Sequence, residues 1–251
     1  MVAGLILAFG LVYLAGCGVI ANMQRSLIYH PQPAMPVKGG DTLVLESGTA
    51  RLVVTTREHD GKKAVIYFGG NAEQVELALP ALSEAFPDRA IYLMHYRGYG
   101  GSTGQPTEEG LEADGLALFD SVSARHPLTS VIGRSLGTGI AIRVAAERPA
   151  ASLVLITPYY SMEDLAERQF PFLPVRWILL DKYESWRIAP LVHAPTLVVE
   201  AENDEVIPRA STEALLGRFG PGVARLQMLS GTGHNTISVS PLYVESLKAV
   251  P

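Results

Sequence analysis

Ser135, Asp204 and His234 are the residues of this chain whose types and places could do acyl chemistry. A serine hydroxyl is a poor nucleophile until a base takes its proton, and that base must itself be held in orientation by a third group. Ser135 stands in Gly133-Arg134-Ser135-Leu136-Gly137, after the short apolar run Val131-Ile132 and before a mostly small and aliphatic stretch from Thr138 to Glu147. Gly-x-Ser-x-Gly between a strand and a helix places the serine on a tight, exposed turn and aims the helix N-terminus at the space above it. Glycine at both flanks clears room for backbone and helix. Taken alone, the same turn also fits a glycine-rich connection whose serine is only an N-cap. Asp204 follows the apolar run Pro195–Ala201, and His234 lies in Gly231-Thr232-Gly233-His234-Asn235 after Arg225–Leu229. Singly, Asp204 reads as a loop carboxylate ahead of Arg209 and His234 as a turn histidine. Serine, acid and histidine in this order, each in a loop after a strand, point together to a nucleophile, an orienting acid and a base. Glu202, two residues nearer the strand, is the second candidate for the acid.

Attack on a carbonyl also needs donors for the oxyanion. The backbone N–H of Leu136, next to the nucleophile, is one. The other is expected from the loop after the buried strand Ala64–Phe68, where Gly69 and Gly70 permit close approach. Asn71 is the expected donor, with Ala72 next; Asn71 could equally be a helix N-cap.

The elements that must position these groups alternate. Strands are expected at Thr42–Glu46, Arg51–Glu58, Ala64–Phe68, Ala90–Met94, Val131-Ile132, Ser152–Thr157, Pro195–Ala201 and Arg225–Leu229. Helices are expected at Glu73–Phe86, from Thr107 to about Arg125, at Thr138–Glu147, around Arg209–Arg218 and from Pro241 to about Ala249. Uninterrupted apolar runs alternating with helices indicate an α/β fold with a largely parallel, twisted sheet and helices on both faces. Residues 158–190 break the rhythm with Tyr159, Tyr160, Phe170, Phe172, Trp177, Tyr183 and Trp186, and read either as a small cap over the site or as crossover packing.

The 251 residues, 48% of them apolar, suffice for one large domain with its own core. A net charge of −5 argues against a nucleic-acid partner. No Cys/His spacing suits zinc, and no metal or cofactor is implied. The segment from Val2 to Gln24 carries no charge, and its apolar part is just long enough to span a bilayer. Within it, Leu14-Ala15-Gly16-Cys17 resembles the lipobox of bacterial lipoproteins, which would make Cys17 a lipidated N-terminus. The other reading is an uncleaved single anchor helix. Residues 1–23 are therefore expected to be a signal or anchor segment and 24–251 the domain, joined through the proline-rich Pro31–Pro36, with the protein membrane-associated through its N-terminus.

Gly-Gly-Asn-Ala after a strand, Tyr96-Arg97-Gly98-Tyr99-Gly100, Gly-Arg-Ser-Leu-Gly-Thr-Gly, Asn-Asp-Glu-Val-Ile-Pro and the terminal Gly-His-Asn resemble the α/β-hydrolase superfamily from about residue 25 onward. The similarity is to a branch of small membrane-associated serine hydrolases related to protein depalmitoylases and, more distantly, to serine aminopeptidases. The resemblance implies an α/β-hydrolase fold, Ser135, Asp204 and His234 as the triad, and hydrolysis of esters or thioesters of small-molecule or acylated substrates through an acyl-enzyme. Peptide hydrolysis and a catalytically silent binding fold are the alternatives. The branch usually carries His-Gly-Asn-Ala-Gly at the oxyanion loop and an acid before Tyr-Arg-Gly-Tyr-Gly; here Gly69 stands in the histidine place, Glu73 for the last glycine, and His95 for the acid. His95 reads as structural, and Arg97 and Tyr99 as braces of their loop.

Overall fold

The computed structural model of the chain describes residues 2–248. Its centre is one sheet formed by β1 (Asp41–Ser47), β2 (Ala50–Arg57), β3 (Lys63–Phe68), β4 (Ala90–Met94), β5 (Leu128–Arg134), β6 (Leu153–Ile156), β7 (Thr196–Ala201) and β8 (Ala224–Leu229). The order across the sheet is β1-β2-β4-β3-β5-β6-β7-β8. β3 to β8 run parallel to one another, while β2 is antiparallel to both β1 and β4. The unbroken apolar runs follow from burial on two faces. Ile66, Phe68, Val131 and Leu155 pack on one side, and Val65, Tyr67, Ile132 and Ile156 on the other.

The helices are α1 (Val2–Ile28), α2 (Leu79–Ala85), α3 (Glu108–Ser123), α4 (Gly137–Glu147), α5 (Met162–Gln169), α6 (Val175–Ile178), α7 (Ser185–Ile188), α8 (Arg209–Leu216) and α9 (Pro241–Lys248). Ala249, expected to end α9, lies outside the described residues. Thr107 starts α3 as its N-cap, its hydroxyl accepting the Gly110 N–H at 3.0 Å, with Glu108 and Glu109 in the first turn. The helix expected over Glu73–Phe86 is shorter: a single 3-10 turn at Val75–Ala78 precedes α2. Glu73 turns back to the loop before it, and Pro80, which has no N–H, fits only the first turn of a helix.

Two segments hold the rest against this frame. Residues 158–190 serve both readings: Tyr159, Met162 and Leu165 line the cavity over Ser135, and Tyr159 and Tyr183 also pack where a Cβ on Gly139 of α4 would stand. The C-terminal end of α1 is fastened to the same segment. Arg25 pairs with Asp181 at 3.0 Å, Gln24 bonds the Ile178 carbonyl and the Leu180 N–H, and the Tyr29 hydroxyl meets Asp181 and the Tyr183 hydroxyl. Residues 31–36 run extended, as expected of their prolines, but lie on the domain: Gln32 accepts the Gly100 N–H and Met35 donates to Glu76. α1 itself is long and apolar enough to cross a membrane by length and composition, a test that signal sequences also pass.

Candidate active site

The turn after β5 is as tight as its glycines imply. A Cβ on Gly137 would meet the Phe68 carbonyl oxygen at 2.1 Å, and one on Gly133 would meet the Gly137 oxygen at 2.5 Å. Neither contact is possible for a side chain. Ser135 is held at φ 49°, a left-handed conformation that costs a non-glycine residue on the order of 1 kcal/mol or more. The Ser135 N–H donates to Ile156 O, and the Thr138 hydroxyl donates to Ser135 O, so neighbouring elements hold the strained conformation.

Ser135, His234 and Asp204 are brought together. His234 Nε2 lies 2.9 Å from Ser135 Oγ, and Nδ1 lies 2.9 Å from Asp204 Oδ2 and 3.1 Å from Oδ1. This network assigns the proton to Nδ1, facing Asp204, and leaves Nε2 as the acceptor. Both the imidazole and the carboxylate are nearly excluded from solvent. Asp204 Oδ1 also accepts the N–H groups of Val206 and Ile207 at 2.9 and 2.7 Å, which fixes the carboxylate plane. The second candidate acid lies elsewhere: Glu202 accepts the Gly231 N–H at 2.7 Å and so braces the histidine loop. Sequence reasoning passed over Glu205, whose Oε2 accepts the His234 N–H at 2.9 Å. That hydrogen bond, the first among its causes, pulls the Glu205 carboxyl below its ordinary range. Gly233 was the available signal, since a Cβ there would stand 2.7 Å from the same oxygen.

The loop after β3 faces the serine; a Cβ on Gly70 would lie 3.7 Å from Ser135 Cβ. Its peptide units are fixed one by one. Gly69 O accepts the Tyr96 hydroxyl at 2.6 Å and the Gly137 N–H at 3.1 Å, Gly70 O accepts the Glu73 N–H, and Asn71 O accepts the Tyr99 hydroxyl at 2.9 Å. The N–H groups of Asn71 and Leu136 have no hydrogen-bond acceptor among the described residues. Asn71 caps no helix: its Nδ2 donates to Ile28 O at the end of α1. Tyr99, expected to brace its own loop, instead braces this one, and so does Tyr96, which the sequence did not single out.

Gly69 and Glu73 form one physical change rather than two. The Glu73 carboxylate accepts Gly70 N–H at 2.7 Å and the Tyr67 hydroxyl at 2.7 Å, and pairs with Arg134 at 3.1 Å. A side chain on residue 69 would meet Val75 Cγ1 at 2.6 Å and Glu73 Oε2 at 3.2 Å. Burial alone would lower the Arg134 guanidinium, but Glu73, Tyr67 and Tyr243 outweigh it and push the group up. Arg134 is thus a fixed cation beside the serine, and its Nη2 reaches the His234 carbonyl at 3.4 Å.

His95 stands apart from the cavity that holds Ser135. It is buried, with Nε2 2.9 Å from Thr55 Oγ1 and 3.8 Å from Glu76, and burial lowers its ring below the ordinary histidine range despite Glu76. Gly100 leaves no room for a Cβ beside Nδ1 of the ring. Arg97 braces by a two-pronged pair with the fully buried Asp114, at 2.8 and 2.6 Å. Cys17 is buried within the unbroken α1. No cluster of three or more potential metal ligands occurs among the described residues.

The site opens into a cavity of about 350 Å³ lined by the loop after β3, Ser135, Arg134, His234 and α5. A hydroxyl hydrogen-bonded to an imidazole that a carboxylate holds, two N–H groups without an acceptor among the described residues and an adjoining cavity are an arrangement that could carry out acyl transfer.

No protein-family model matches the chain. The chain is 33% identical over 253 residues to the uncharacterized protein Rv2307c of Mycobacterium tuberculosis, a match covering 90% of this chain and 86% of that one. It is 32% identical over 163 residues to the alpha/beta hydrolase domain-containing protein aho-3 of Caenorhabditis elegans, covering 63% of this chain and 48% of that protein. It is 35% identical over 135 residues to the lysophosphatidylserine lipase ABHD12 of Xenopus tropicalis, covering 45% and 34% respectively. The last two matches thus span about half or less of those relatives. In structure the chain resembles the Pyrococcus furiosus esterase Pf2001, with a TM-score of 0.71 at 17% identity over 88% of this chain and 98% of that one.

Proposed function

Because this chain belongs to the α/β-hydrolase superfamily, in the branch of the ABHD domain-containing proteins, we propose that it is a serine hydrolase of carboxylic esters or thioesters. The observation that carries this reading is the relay from Ser135 Oγ through His234, 2.9 Å to Nε2 and 2.9 Å from Nδ1 to Asp204.

In the proposed reaction the Ser135 oxygen attacks the substrate carbonyl while Nε2 takes its proton. Asp204 keeps the ring in the competent tautomer and stabilises the imidazolium that forms. The oxyanion accepts hydrogen bonds from the Leu136 and Asn71 N–H groups, aided by the N-terminus of α4. Collapse breaks the bond to the alcohol or thiol, which leaves with the proton held by His234. Water, deprotonated by the same nitrogen, then attacks the acyl-serine and frees the acid and the serine hydroxyl. The fixed peptide units of the oxyanion loop support this reading, because donors that need no rearrangement are worth most to the transition state.

The membrane part of the reading is an uncleaved α1 serving as anchor. The Tyr13 hydroxyl donates to Phe172 O at 2.8 Å, a contact that cleavage before Cys17 would remove. Intact-mass measurement of the membrane-extracted chain is expected to give the full sequence with an unmodified Cys17; an acylated Cys17 at the N-terminus would replace this reading with the lipoprotein one.

The test of the reaction is hydrolysis of p-nitrophenyl esters by the full chain and its Ser135→Ala variant, with fluorophosphonate labelling of both. Turnover and labelling are expected of the parent and neither of the variant. A variant that keeps turnover sinks the proposal. Labelling without ester turnover would favour amide hydrolysis, and no labelling would favour a silent binding fold.

A further inference from the structure

Beside the serine cavity lies a second one, of about 330 Å³. It is enclosed by the C-terminal turns of α1 on one side and by α5, α6 and the turn between them on the other. Ile20, Leu27 and Ile28 supply the first wall; Ala166, Phe170 and Leu179 supply part of the second. No charged side chain lines it. Its polar residues include Gln24 and Asn71, and these are spent on the fold: Gln24 bonds Ala21 O, Ile178 O and the Leu180 N–H, and Asn71 Nδ2 bonds Ile28 O.

The two cavities share Asn71, Met162, Leu165 and Val206 as walls. The second cavity therefore adjoins the first, as the apolar continuation that the proposal below assigns to an acyl group whose carbonyl sits at Ser135. Leu27 and Phe170 line this continuation and are also half-exposed, at 52% and 42%, so it reaches the surface between α1 and the cap. That surface is apolar. Phe172 and Trp177 are 87% and 84% exposed, and the bond from Tyr13 sets Phe172 beside α1 seven residues before Ile20, about 10 Å along the helix. If α1 crosses the bilayer, this part of the cap is carried to the acyl region with it.

We propose that the C-terminal turns of α1 are a wall of the substrate pocket, which takes the acyl chain of a membrane lipid from the leaflet in which α1 sits. The proposal rests on the serine-hydrolase reading for the fate of the ester but not for the pocket. It gives α1 two functions: it anchors the domain, and Ile20, Leu27 and Ile28 select for chain length. Area decides the preference, since each further methylene moved from water to an apolar wall adds to binding.

Two measurements on the full chain in dioleoylphosphatidylcholine vesicles test it. In the first, palmitic acid bearing a diazirine near its methyl end is photolysed with the Ser135→Ala protein. Label is expected on residues 20–28 and 162–179, cut at least fivefold by either Ala166→Trp or Ile20→Trp, which fill the pocket from opposite walls. Monopalmitoylglycerol is expected to protect. Label spread along α1 that neither substitution changes overturns the proposal, as does better protection by an S-palmitoyl peptide than by the lipid. In the second, the ratio of turnover on dodecanoyl to butyryl p-nitrophenyl ester is expected to fall at least tenfold in both tryptophan variants. An unchanged ratio, with turnover still dependent on Ser135, refutes the pocket and leaves the serine reading intact. Label at both walls in a protein that cleaves no ester does the reverse.

Discussion

Replacing Gly69 by histidine and Glu73 by glycine, singly and together, puts the bracing of the loop after β3, the proposed oxyanion loop, to a quantitative test. Glu73→Gly removes the acceptor of Gly70 N–H and of the Tyr67 hydroxyl and strips Arg134 of its partner; the two side chains of the pair are only 12% and 15% exposed. Breaking a buried pair by removing one member costs about 3–5 kcal/mol. Gly69→His drives a side chain into Val75 Cγ1 at 2.6 Å and Glu73 Oε2 at 3.2 Å, and overpacking of this kind costs roughly 1–3 kcal/mol. Added together, the two losses approach the whole stability of an ordinary domain, about 5–15 kcal/mol. In the double variant the carboxylate and its contact with residue 69 are gone, while the contact with Val75 remains. The loss should therefore fall short of the sum by about 0.5–3 kcal/mol, the range for residues in contact. Urea unfolding of the full chain in detergent, followed by circular dichroism, measures the cycle. Turnover of p-nitrophenyl butyrate should follow the same order. Loss of a whole oxyanion donor costs about 10²–10³ in kcat, and a loosened Gly70–Asn71 peptide should lose about tenfold or more within that limit, with KM changed less. Additivity within about 0.5 kcal/mol would refute the claim that residues 69 and 73 share one space. A Glu73→Gly protein with parental stability and kcat would refute the bracing itself.

Tyr99→Phe removes the 2.9 Å bond to Asn71 O; with about 1 kcal/mol at stake, kcat should fall roughly fivefold at unchanged KM in steady-state assays. Asp114→Ala leaves the Arg97 guanidinium without its buried partner, and thermal melts should show a loss of about 3–5 kcal/mol. Glu200 is buried with neither oxygen hydrogen-bonded among the described residues, and burial pushes its carboxyl above the ordinary range. The folded state therefore holds that proton to higher pH than the unfolded chain does, and the residue costs stability as pH rises through the interval. Glu200→Gln should raise Tm relative to the parent near pH 8, by an amount that fades toward about pH 4; a difference that grows in acid would contradict the sign.

Ser135, His234 and the parallel sheet were legible because they are written locally. A glycine-flanked serine between a strand and a helix has one tight geometry, and unbroken apolar runs such as Ala64–Phe68 demand burial on both faces wherever they sit. Asp204 was ranked ahead of Glu202 by order and resemblance, not by anything local to either residue. Both follow β7 within three residues, and only the return of the chain after β8 puts one carboxylate on the imidazole and the other on the Gly231 N–H. Glu205, Tyr96 and the Glu73–Arg134 pair were hidden for a like reason: each acts on a backbone group or charge from a distant segment, and a hydrogen bond across such a separation leaves no periodicity to read. The cap reading stayed divided because the segment does both, lining the cavity and packing on α4 with Tyr159 in each. Along the chain α1 is an apolar run with a charge at its end; in space its last turns hold the cap through Arg25 and Asp181, tie down Asn71 and close a cavity. Types and local order set what chemistry is available here. Which groups share it was decided by tertiary structure, because hydrogen bonds and cavities depend on distances that only packing brings below a few ångströms.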